Sequence, residues 1–126
     1  MISLKSNVDL GHATPQLAIG LLVIGSVFER HDVPLVLTSV CDGVHHAGSL
    51  HGAGFAADLR SSTHYYFPPE TDAQLLADGR DALGPAFDFI IEDLGDENLH
   101  FHLEWDAYRA GILTRPEPAA PAGSGG

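Results

Sequence analysis

Cationic side chains are scarce: six lysines and arginines stand against seventeen aspartates and glutamates in 126 residues, a formal charge of −11. A non-specific grip on DNA, RNA or anionic lipid depends on neutralising phosphates with Lys and Arg, so the balance argues against all three. Cysteine is almost absent. Cys41 stands alone, which excludes an internal disulfide and leaves the fold to its own core; it reads as a small buried strand residue. Long apolar runs are missing too. The stretch from Leu17 to Phe28 spans about twelve residues, short of the ~20 that a membrane span needs. No signal peptide is legible ahead of Asp9, His12 and Pro15. The expectation is a chain made soluble in the cytoplasm, with no membrane partner.

What remains is the composition of one ordinary domain, 44% hydrophobic and 18% charged, long enough to bury a single core. Residues 1–13 read as an extended lead-in. Thr14-Pro15 supplies a capping hydroxyl and a proline suited to the first helical position. Leu17, Leu21, Ile24 and Phe28 then recur at helical spacing, which predicts a buried helix over 15–30. Leu35 to Val40 reads as a strand, the glycine- and histidine-rich 42–54 as a loop, and Phe55 to Leu59 as a second strand. Glu70 to Leu83 reads as a helix, and Phe87–Glu92 with Leu99–Trp105 as a hairpin. From Thr114 the Pro, Ala, Gly and Ser tail lacks the apolar surface to fold. The expected architecture is an α+β domain over 1–113, a small antiparallel sheet with flanking helices, and a disordered tail over 114–126.

Eight histidines are present, and they cluster. His51 and Asp58 bracket a run of small residues, where Gly52 and Gly54 let the chain fold back so that both side chains approach one centre. His100-Phe101-His102 places two imidazoles on one face of a strand, with Leu99, Phe101 and Leu103 on the other. Zinc favours imidazole nitrogen and carboxylate oxygen, and a catalytic site keeps a position open for water. His12, His31 and His64 read as surface groups, and Trp105, Tyr65 and Tyr66 as core or rim residues. Arg60 reads as a surface ion-pairing residue with the reach to meet a substrate carboxylate.

At Ser49 to Asp58 the chain resembles a known family. The stretch matches the SxHxxGxAxD pattern of the zinc D-alanyl-D-alanine carboxypeptidases and peptidoglycan endopeptidases, whose fold and metal site the hedgehog signalling domain shares. Leu37–Val40 followed by Asp42-Gly43-Val44-His45 is similar to the strand and histidine-bearing loop of phage-encoded members. Phe87–Glu92 and His100–Glu104 are similar to their closing hairpin. The resemblance covers residues 3 to 108.

It implies one zinc ion on His51, Asp58 and His102, with His100 beside it as a hydrogen-bond donor; His100 is the alternative third ligand. His45 and Ser49 would line or order the substrate site. Glu92 is favoured over Glu97 as general base, because the strand before it matches so well. The implied activity is amide hydrolysis in peptidoglycan stem peptides, of carboxypeptidase or endopeptidase type, by an activated water and a proton-shuttling glutamate. The implied origin is a phage endolysin or phage particle component acting on the cell wall. The rival expectation is a zinc-containing binding or structural module that hydrolyses nothing.

Overall fold

The computed structural model describes residues 2–10, 13–40, 56–93 and 95–106. Helix α1 (Pro15–Arg30) begins where the sequence places its cap: Thr14 Oγ1 accepts the Leu17 N–H at 3.3 Å, and Pro15 opens the first turn. Its buried residues, Leu17, Gly20, Leu21, Ile24, Val27 and Phe28, form one stripe. Helix α2 (Pro69–Leu83) buries Asp72, Leu75 and Gly79, and ends at Gly84, whose φ of 79° suits glycine. No helix among the described residues is long and apolar enough to cross a membrane.

Five strands form one sheet: β1 (Ile2–Leu4), β2 (Leu35–Val40), β3 (Ala56–Arg60), β4 (Phe87–Glu92) and β5 (His100–Trp105). Their spatial order is β1-β2-β3-β5-β4. β1 runs parallel to β2, with α1 as the crossover, and every other pairing is antiparallel. The class is therefore α+β with a mostly antiparallel sheet. The expected lead-in contains a real strand, β1, too short to announce itself by alternation.

Both helices pack on one face of the sheet. Leu17, Ile24, Phe28 and Leu75 meet Leu37, Leu59, Phe89, Phe101 and Leu103 in a single core. Phe101 stands at its centre, stacked on Phe89 at 5.2 Å and meeting the edge of Phe28 at 5.6 Å. Because side chains alternate along a strand, the residues between these core positions project from the opposite face. Asp58, Arg60, Glu92, His100, His102 and Glu104 all stand on that face.

The chain leaves β3 through a short 3-10 helix, Ser62–Tyr65. Asp72 of α2 anchors this turn. Its carboxylate accepts from the Ser61 hydroxyl at 2.5 Å, the Ser62 hydroxyl at 2.5 Å and the Ser62 N–H at 2.8 Å. A buried carboxylate with its lone pairs thus occupied ties α2 to the end of β3, the strand that carries Asp58.

Candidate metal centre

Three strands supply the centre, and register decides who meets whom. β5 lies between β3 and β4, so Asp58 faces His102 on one side while Glu92 faces His100 on the other. His102 Nδ1 lies 2.9 Å from Asp58 Oδ1 and 3.5 Å from Glu92 Oε1. His100 Nε2 lies 3.3 Å from Glu92 Oε1 and 3.8 Å from Asp58 Oδ1. One oxygen of each carboxylate and one nitrogen of each ring therefore converge.

The far sides of both rings are held. His100 Nδ1–H donates to the Asn98 carbonyl at 2.6 Å. A carbonyl can only accept, so Nδ1 carries a proton, and Nε2 is the ring nitrogen turned toward Asp58 and Glu92. His102 Nε2–H donates to Glu104 at 3.3 Å. Metal-ligating histidines are held in this way, the second ring N–H on a carboxylate or carbonyl.

The centre has more lone pairs than protons, and His102 answers that excess in the metal-free chain. Burial disfavours its charged form, but hydrogen bonds to Asp58 and Glu104 and the negative charges of Asp58 and Glu92 outweigh burial. Together they push its pKa up from 6.5 to about 10.

The donor set suits a metal. Asp58, Glu92 and His100 each offer a ligand atom, all within 4.8 Å of one another, and form a group able to hold an ion. Ligand atoms on a tetrahedral zinc at about 2.0–2.1 Å are about 3.3 Å apart, and the separations of 2.9 to 3.8 Å here bracket that value. His102 is not part of the three-residue group, but its Nδ1 contacts both carboxylates.

Of the residues singled out in the sequence, Asp58, Glu92, His100 and His102 come together. Glu97 does not join them: it is exposed on the turn between β4 and β5 and lines the neighbouring cleft. His45, Ser49 and His51 lie outside the described residues, as do Cys41, His12 and the tail. His31 pairs with Asp78 at 2.7 Å, tying the end of α1 to α2. Trp105 is buried on the helix side, as a core residue should be. His64 is exposed, as expected of a surface group, and stands at the wall of the cleft.

Glu104 went unnoticed in the sequence, although the alternation His100, His102, Glu104 placed it on the same face. A cleft of about 490 Å³ adjoins the centre, and Asp58, Arg60 and His100 form part of its wall. Thr38 and Ser39 of β2 also line it, where the register slips between Leu37 and Ser39 and two consecutive residues oppose the β3 partner strand. No family model, curated protein or solved structure matches the chain.

Proposed function

We propose that the chain is a zinc-dependent peptidase that hydrolyses an amide bond in peptidoglycan stem peptides. The observation that carries this reading is the convergence of Asp58, Glu92, His100 and His102 on one point at the wall of an open cleft. Asp58 and His102 would hold the ion together with His51, and Glu104 would keep the His102 ring turned toward it. Zinc, when bound, supplies a Lewis acid that polarises the scissile carbonyl and acidifies the attacking water.

The rest of the chemistry falls to the chain. Glu92 is half exposed and reaches the centre with one oxygen, so it can take the proton of the attacking water and deliver it to the leaving amine. His100, fixed through Asn98, stands within reach of the same carboxylate and of the substrate carbonyl's side of the cleft. The substrate class, a stem peptide, rests on the resemblance of Ser49–Asp58 and of the closing hairpin.

A second ligand set is favoured by the three-residue grouping: Asp58, Glu92 and His100, with Glu92 a ligand instead of the base. Zinc content measured by elemental mass spectrometry separates the two. On the first reading the purified chain holds about one zinc, His51→Ala and His102→Ala lose it, and Glu92→Gln keeps it. Glu92→Gln then hydrolyses a stem peptide roughly 10²–10⁴-fold more slowly. Loss of zinc in Glu92→Gln and His100→Ala, with retention in His102→Ala, would establish the second set. A zinc-loaded wild type that cleaves no stem peptide would make the chain a binding module.

A further inference from the structure

We propose that Tyr66 is a stacking platform at the rim of the cleft for an uncharged sugar ring, the sugar to which a stem peptide is joined. The inference rests on the peptidase reading and adds a second chemical class to what the chain recognises. Tyr66 is 98% exposed, whereas Leu22, the next most exposed large apolar residue among those described, is 67% exposed. An aromatic ring left wholly in water contributes no burial to the fold.

The backbone beneath the ring is held in an unfavourable conformation. Tyr66 has φ 67° and ψ 16°, in the left-handed region. The other non-glycine residues with positive φ among those described are Asn7, Asp32 and Asp93, whose short polar side chains tolerate it. For a tyrosine it is strain, and strain of this kind gathers where a side chain has a task. The turn is anchored on both sides of the ring. Ser61 and Ser62 bond the buried Asp72, the Tyr66 N–H donates to the Thr63 carbonyl at 3.0 Å, and Phe67 packs against the core. The platform is therefore preorganised, and little backbone freedom is lost when a ligand settles on it.

The same turn reaches the cleft of about 490 Å³. Thr63 and His64 line it together with Arg60. Tyr65 ties these residues to one another: its ring meets that of His64 edge-on at 5.1 Å, and its hydroxyl accepts from Arg60 Nη1 at 3.5 Å. Tyr66 follows directly, at the end of β3 and away from the hairpin that bears Glu92 and His100. A charge of −11 opposes an anionic ring system such as a nucleotide. A sugar ring is neutral, and its C–H bonds present a weakly positive surface to the negative face of an aromatic ring.

The test compares a stem pentapeptide joined to its wall disaccharide with the same peptide lacking the sugar. Binding is measured by calorimetry in the Glu92→Gln background, and cleavage by the zinc-loaded wild type is followed by mass spectrometry. The disaccharide should tighten binding about three- to tenfold, the gain expected of one stacked ring. Tyr66→Phe should keep that gain. Tyr66→Gly removes the ring and the φ strain together, so the gain should vanish while the melting temperature does not fall. Equal binding of the two peptides, a gain that survives Tyr66→Gly, or a gain lost in Tyr66→Phe would overturn the proposal. Should the wild type cleave neither peptide, the peptidase reading fails, and the binding ratio still decides the platform.

Discussion

At the scale of the residue, His102 and Glu104 carry the most exposed consequences. The pKa of His102 rises from 6.5 in the unfolded chain to about 10 in the folded, metal-free one. A raised folded pKa contributes stability that is fully present below about pH 6.5 and is lost as pH climbs through about 10. Thermal melts of the chelator-treated chain should therefore fall between pH 7 and 10, and His102→Gln should flatten that slope. If His102 is a ligand, zinc must displace its proton, so zinc affinity should rise with pH over the same window. Glu104 makes a separate prediction. Removing its charge as Glu104→Gln loosens the His102 ring and should weaken zinc binding by about 10–100-fold in a competition titration with a chromophoric chelator. Unchanged affinity would mean that Glu104 is a solvated carboxylate near the ring and nothing more.

At the scale of the element, α2 is located by a contact too close to admit a methyl group. A Cβ on Gly79 would lie 2.6 and 2.8 Å from ring carbons of Phe89 and 2.9 Å from Ile24 Cδ1. Phe89 is itself stacked on Phe101 in the core and has no room to retreat. Gly79→Ala gains helix propensity, but the overpacking should win, at a net cost of about 1–3 kcal/mol in denaturant unfolding. An alanine that stabilises the chain would show that α2 can slide on the sheet. Asp72 tests the other end of the same helix. Asp72→Ala leaves the Ser62 N–H and hydroxyl without their acceptor in a buried place, while Ser61 keeps Thr63, and should cost about 1–3 kcal/mol. Because that turn follows Asp58 and Arg60 directly, the loss should also show in weakened zinc binding.

At the scale of the whole molecule, a charge of −11 sets the fold against its own repulsion. Raising salt from low to moderate concentration screens that repulsion, so the melting temperature of the metal-free chain should increase by a few degrees. A decrease would mean that attractive pairs such as His31–Asp78 and His102–Asp58 outweigh the net repulsion. The elements themselves were legible in the residues. Thr14-Pro15 announced α1 through local hydrogen bonding, and the period-two pattern of Phe101, Leu103 and the two histidines announced β5 and its polar face. β1 was not legible, because three residues carry no period. Nor was the role of Asp72, since an aspartate in the first turn of a helix reads as a solvated charge until the serines that surround it are in place.

Local chemistry along the chain was therefore enough to determine the α+β class, the bounds of both α-helices and of β2 to β5 to within a residue or two, and the facing of His100 with His102. Which side chains complete the centre depended on strand order. Asp58 and His102 are 44 residues apart and meet only because β5 inserts between β3 and β4. That insertion also brings Glu92 to His100, sets Arg60 beside it, and leaves Glu97 out on the turn. Periodicity reports which face a residue occupies. Pairing between distant strands is chosen by burial of the common core under α1 and α2, a property of no single segment, and so only the tertiary structure could decide it.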